Sequence, residues 1–473
     1  AGLPWPDPLA FEPTVLNYGA SEPAAEGEAG RGPGGVRGRR LEDAQGQEWA
    51  PLRIHLHTEQ LRQDAAGSEL EHLLSVTEAA ARWLSQALRV RPVRGRLQLE
   101  QQCSGVFSLT GACARVAPDF QECGLATIPR AHFRDRRYCK TGLELLCQVS
   151  SGGPGVPDAD FALYLSARPS HACGSGAAAH AVMCRRDQTD RPIAGNFNIC
   201  PLTAQDPGDW QSSVATAVHE MTHALGFANH LFALYRYDNG EPRTPRGPDG
   251  KPPADGWGYR ASEGTVVHAN ETDGVRRHFV VLPRVLREAR LHFGCPTLDR
   301  VPLEDRAGLE PSGSHWEDRF MSTEIMTPEV NLFPRFSRLT MALLEDSSWY
   351  KPDYGLAGAF TFGSGKGCGF FFEPCVQDGR SNFPDSFCTE PGQLGCTTDR
   401  QSLGACGARL HPEPLPPRFQ HFRNPRLGGG SVFNDYCPVW LGSASCRAPP
   451  TRQLPWPQVP PDASYGPASR CIL

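Results

Sequence analysis

The stretch Val218-His219-Glu220-Met221-Thr222-His223-Ala224-Leu225-Gly226-Phe227 constrains the fold of this chain more than any other. Histidines four residues apart lie about one turn apart on a helix, so both project from the same face. Imidazoles so placed can bind one Zn²⁺ at about 2.0–2.1 Å each, with Glu220 beside them to take a proton from water. The surrounding period agrees: Val214, Val218, Met221 and Leu225 make an apolar stripe next to the histidine face. Asp209 and Ser212 are N-cap candidates, and Gly226 offers a left-handed stop at the far end. Two merely solvated or core histidines would leave this agreement of motif, period and terminal glycine unexplained.

A catalytic zinc needs three protein ligands and one open position. In the compact metzincin spacing the third histidine lies six residues after the second, and that position is Asn229 here. His230, one step on, is one alternative, and a downstream acidic ligand is another. The stronger candidate is His315 in Gly313-Ser314-His315-Trp316-Glu317, because Glu324-Ile325-Met326-Thr327-Pro328 follows it and reads as a methionine turn around Met326.

Taken together, these segments resemble the leishmanolysin-like zinc metallopeptidases, a metzincin branch with a long insertion before the third histidine. The resemblance runs from about residue 41 to residue 473. It adds Trp49-Ala50-Pro51-Leu52-Arg53-Ile54, Arg191-Pro192-Ile193-Ala194-Gly195, Ala342 to Tyr350, Gly365-Lys366-Gly367-Cys368 and Asp435-Tyr436-Cys437-Pro438 to the motifs above. It implies one catalytic Zn²⁺ on His219, His223 and His315, Glu220 as general base, and Met326 beneath the metal. Two departures stand out. Residues 306–312 replace a glycine-rich run, and Ser348 stands where the family tends to have Gly before the Trp-Tyr pair. Both leave the four catalytic side chains untouched.

Seventeen cysteines between Cys103 and Cys471 read as a disulfide framework, hence a secretory, extracellular or cell-surface setting. No pair has the C-x-x-C spacing of a zinc ribbon. The odd count leaves one thiol over, and Cys471, close to the end, is the expected odd one. Asn270-Glu271-Thr272 is a glycosylation sequon. A net charge of −5 with mixed signs gives no basis for nucleic-acid binding. No apolar run reaches the roughly 18 residues a membrane span needs, which leaves a tether outside these residues open.

Four regions are expected. Residues 1–40, rich in Gly, Pro and Glu, read as a disordered propeptide remnant, and the start at Ala1 without Met or signal peptide suggests a processed or trimmed chain. Arg37-Gly38-Arg39-Arg40 has the form cut by secretory convertases, and a cysteine switch would have to lie upstream, since no Cys precedes Cys103. Residues 41–230 read as an N-terminal catalytic subdomain. There Leu52, Ile54 and Leu56 alternate with Arg53, His55 and His57 in a half-buried strand, its histidines on an exposed polar face rather than a metal site. Ser68 and Glu71 form a capping box for a helix reaching about Arg89, and further strands are expected at 95–100 and 161–167. Ile193, Ala194, Gly195 and Asn196 are expected on an edge strand that pairs with extended substrate. Residues 231–335 read as a central subdomain returning to zinc, with an exposed loop at 243–255. Residues 336–473 hold eight of the cysteines and read as a loop-rich, disulfide-stapled domain.

The fold class expected is α+β: a metzincin-type domain of mixed sheet and active-site helix, an inserted central region and a cysteine-rich C-terminal domain. The expected function is a zinc metalloendopeptidase acting on extracellular proteins or peptides, released by a processing convertase, with no oligomeric state implied. The rival is a catalytically silent extracellular binding or adhesion protein that keeps the zinc site. An intact Glu220 counts against that rival, because a structural site closes its fourth position and needs no base.

Overall fold

The structure, a computed structural model, describes residues 41–42, 48–107, 110, 112–116, 122–141, 146–201, 210–255, 258–270, 276–305, 313–329, 334–446 and 469–472. The candidate processing residues Arg37, Arg39 and Arg40, the departure at 306–312 and the cap candidate Asp209 lie outside them.

Strand β1 (Ile54–His57) leads to helix α1 (Gly67–Ala87). The latter buries Leu73, Val76, Thr77, Trp83 and Leu84. Its N-cap is Ala66 with no side-chain cap bond, so Ser68 lies inside the helix and the capping box does not form. Gly67, at φ +59°, carries the turn into the helix instead. No strand forms at 95–100; Leu97 and Leu99 make only isolated bridges to Val156 and Phe133.

Three strands then complete a mixed sheet: β2 (Phe161–Ser166), β3 (Ala179–Arg186) and β4 (Pro192–Ile199), in the order β3-β4-β2-β1. β1, β2 and β4 run parallel and β3 runs antiparallel at one margin. This corrects the expected substrate strand. Ile193, Ala194, Gly195 and Asn196 lie buried on β4, between two neighbouring strands, and the last three are paired on both sides, so β4 is not an edge strand. Among the described residues, the free margin on that side belongs to β3. Gly195 serves packing instead: a Cβ there would lie 2.9 Å from the Val182 carbonyl oxygen, 3.0 Å from the Phe161 ring and 3.1 Å from the Ala224 Cβ.

Ala224 belongs to helix α2 (Trp210–Leu225), which carries the histidine motif across the sheet. Val218, Met221 and Leu225 are fully buried against α1 and the sheet, and Val214 is half-buried. Ser212 sits within the helix rather than at its cap. Gly226 ends it at φ +156°, outside the left-handed helical region, with Phe227 N–H returning to the Thr222 carbonyl.

A hairpin of β5 (Val266–Asn270) and β6 (Arg276–Val280) follows, so the sequon asparagine Asn270 is the last residue of its strand. Helix α3 (Pro283–Phe293) begins with Pro and ends at Gly294, left-handed at φ +68°. Strand β7 (Val301–Leu303) pairs with β6 and leads toward His315. Helix α4 (Arg338–Asp346) packs against α3, and one apolar core runs from Leu52 to Val439 through all of these elements. Beyond α4 the described strands are short, two to six residues each.

Eight disulfides hold the chain, among them Cys173–Cys200, Cys295–Cys368 and Cys396–Cys471. Cys471 is therefore paired, and the odd thiol is Cys446, in a half-buried position at the end of a strand. Among the described residues no helix is long and apolar enough to cross a membrane.

Candidate metal centre

Helix α2 presents His219 and His223 one turn apart, and the 313–317 segment brings His315 to them. The three Nε2 atoms lie 3.0–3.1 Å from one another. Their tautomers follow from their other nitrogens. The His219 Nδ1–H donates to the Ile325 carbonyl and the His223 Nδ1–H to the Phe227 carbonyl, each at 2.6 Å. Both Nε2 atoms therefore offer lone pairs, and burial holds the imidazoles neutral, His219 pushed down to about 4 and His223 to about 3. Lone pairs converging at this distance repel unless a cation lies between them. The donor set thus fits a borderline metal such as Zn²⁺ with three nitrogen ligands.

Glu220 is buried beside the trio. Burial raises its carboxyl to about 8, opposed by a hydrogen bond from the Ala181 backbone amide on β3. A nearby cation would act against that burial cost and favour the carboxylate. His230, the alternative ligand, lines the same cleft but stands outside the trio.

The floor joins Met326, expected there from the sequence, to partners that sequence reasoning gave no role: the Glu324 carboxylate, Ser337 and Thr340. Met326 is fully buried, and its carbonyl accepts from the Trp316 amide at 2.9 Å. Below it the buried Glu324 carboxylate accepts from the Met326 amide, the Ser337 amide and hydroxyl, and the Thr340 hydroxyl. Trp316 Nε1–H donates to Thr340 Oγ1 at 2.9 Å, so the ligand segment and the turn share one network. Thr323, just before, holds φ +79°, a left-handed conformation that a β-branched residue adopts only under constraint. A carboxylate beside Ile325 and Met326 in an apolar turn was the available signal.

The cleft is a cavity of about 540 Å³. Its upper wall includes Ala179, His180 and Ala181 of β3 and the short helix His171–Gly174, which Cys173–Cys200 fastens to the end of β4. Its lower wall includes Thr327, Pro328 and Glu329, together with Phe433 from the C-terminal region. Glu329 accepts from the Ser431 hydroxyl at 2.6 Å, which fixes that wall to the cysteine-rich part.

Comparison with known sequences finds a family for this chain. The leishmanolysin family profile matches residues 149–473. A leishmanolysin-like peptidase of Drosophila melanogaster is 34% identical over 413 residues, covering 77% of this chain and 59% of that protein. One from Caenorhabditis elegans is 34% identical over 440 residues, covering 83% and 66%. Leishmanolysin of Leishmania major is 28% identical over 394 residues, covering 82% and 55%. The chain thus spans roughly three-fifths of the length of these curated relatives. With more than half its length matched by the profile and the histidine motif inside the match, the chain belongs to the leishmanolysin family.

Proposed function

We propose that this chain is the catalytic part of a zinc-dependent endopeptidase of metzincin type that cleaves extracellular proteins or peptides. The observation that carries the reading is the convergence of His219, His223 and His315 next to a buried carboxyl, Glu220. A Zn²⁺ held by the three histidines would acidify a water molecule and polarise the scissile carbonyl. Glu220 takes the proton of the attacking water and delivers it to the departing amine. Met326 and the Glu324 network hold the ligands in place without touching the reacting atoms. The free margin of β3 gives an extended peptide main-chain partners along the cleft, the role first expected of β4.

The cystine content favours an oxidising, secretory route, and cleavage after Arg40 by a convertase would release the mature chain. The test is zinc content and hydrolysis of a denatured protein, before and after convertase treatment. About one catalytic zinc per chain is expected. Activity should vanish with a chelator, and Glu220→Gln should abolish it while keeping that zinc. Full activity in a pure Glu220→Gln preparation would refute the mechanism. Bound zinc without hydrolysis in any processed form would favour a silent binding protein.

A further inference from the structure

The sheet has a second histidine cluster on its opposite face and at its opposite margin. Register places Leu56, Leu163 and Gly195 on one face, the face against which α2 packs. His55 and His57 lie on the other, level with Ala162 and Tyr164 of β2. That face is covered by the 97–156 segment through an apolar cluster including Leu99, Ile128 and Phe133. At the margin, where further apolar side chains would serve as well, the covering turn instead sets His132 over His55 and His57. All three are half-buried, so the expected exposed polar face is not found.

We propose that His55, His57 and His132 form a second divalent-metal site, for Zn²⁺ or another imidazole-seeking ion, that pins the 130–132 turn to the edge of the sheet. One nitrogen from each residue lies within 4.8 Å of the others. Tetrahedral zinc asks for nitrogens about 3.3 Å apart, so the rings must close by about 1.5 Å at most, a modest rotation for half-exposed side chains. His132 is already oriented: its Nδ1 lies 2.7 Å from the Tyr164 hydroxyl. The hydroxyl can accept from Nδ1–H, and in that tautomer the Nε2 lone pair is left for a metal. The Glu59 carboxylate, 3.5 Å from His57 Nε2, supplies balancing charge or a fourth ligand.

The site is independent of the catalytic centre, and metal stoichiometry separates the two. The full chain is equilibrated with excess zinc, freed of weakly bound ion by gel filtration, and analysed for metal. Two zinc ions per chain are expected in the wild type. His57→Asn and, separately, His132→Gln should each reduce this to one while leaving hydrolysis intact, and His223→Ala should also leave one. Cobalt substitution provides a second readout, since its visible bands should contain a component lost in His132→Gln and kept in His223→Ala. A single zinc in the wild type, or two in both His57→Asn and His132→Gln, would overturn the proposal. Loss of both zincs in His57→Asn with His132→Gln retaining one would mark a folding defect of the first variant and still support the site.

Discussion

Glu220 is held in a state that its partners must correct. Its folded value of about 8 lies above the ordinary 4.5, so the metal-free native chain takes up a proton between those limits. Stability of the metal-free protein therefore falls as pH rises through that window, by on the order of a few kcal/mol. His219 and His223 act in the other direction: their lowered values cost stability as pH falls below about 6.5. The difference between wild type and Glu220→Gln isolates the carboxylate. Thermal unfolding of both metal-free proteins from pH 5 to 8 should show the wild type losing ground to the variant, and parallel curves would disprove the assignment. Ser348 supplies a second test at this scale. It departs from the glycine that the sequence resemblance implies and adopts φ +63°, with its hydroxyl donating to Asp238 at 2.8 Å. Ser348→Gly should change stability by no more than about 1 kcal/mol, whereas Ser348→Val should cost about 2 kcal/mol in denaturant titrations. The substituted glycine was visible in the sequence; the positive φ that explains it was not.

At the scale of elements, the motif-bearing part of the helix was legible, because its apolar period and its histidines mark one face, whereas its start was not, since Ser212 lies inside the helix. The substrate strand was not. Ile193 to Asn196 alternate no differently from an edge strand, and only the order β3-β4-β2-β1 shows them enclosed. Strand neighbours on both sides, β2 and β3, close both edges of β4, and alternation within one strand cannot report that. Gly195 carries a consequence that can be checked. Gly195→Ala should cost about 1–3 kcal/mol in urea unfolding, since its Cβ meets main chain and helix at once. It should also lower turnover, because α2 cannot retreat without moving Glu220 from Ala181. The capping box at Ser68 failed for a related reason: a glycine at positive φ had already set the turn one residue earlier.

For the whole molecule, the sequence announced a disulfide framework but not its pairing, because pairing is a property of the completed fold. Cys295–Cys368 joins the end of α3 to the segment after α4 across a separation of 73 residues. Removing it as Cys295→Ala with Cys368→Ala should lower stability by about 2–4 kcal/mol, read from the denaturation midpoint. The unreduced protein should take up one equivalent of alkylating agent, and Cys446→Ser should abolish that uptake. Uptake at Cys471 instead would contradict the Cys396–Cys471 link.

The third histidine lies 92 residues beyond the second, and its segment is seated by the β6–β7 pairing and the Glu324 network. His219 and His223 come together as soon as one helix forms, but two imidazoles alone make a weak, open metal site. On the zinc reading, tight metal capture waits until the insertion has folded back and the turn around Met326 has closed. On the same reading, the ability to cut arrives only after that closure, so a half-folded copy would spare the chains around it.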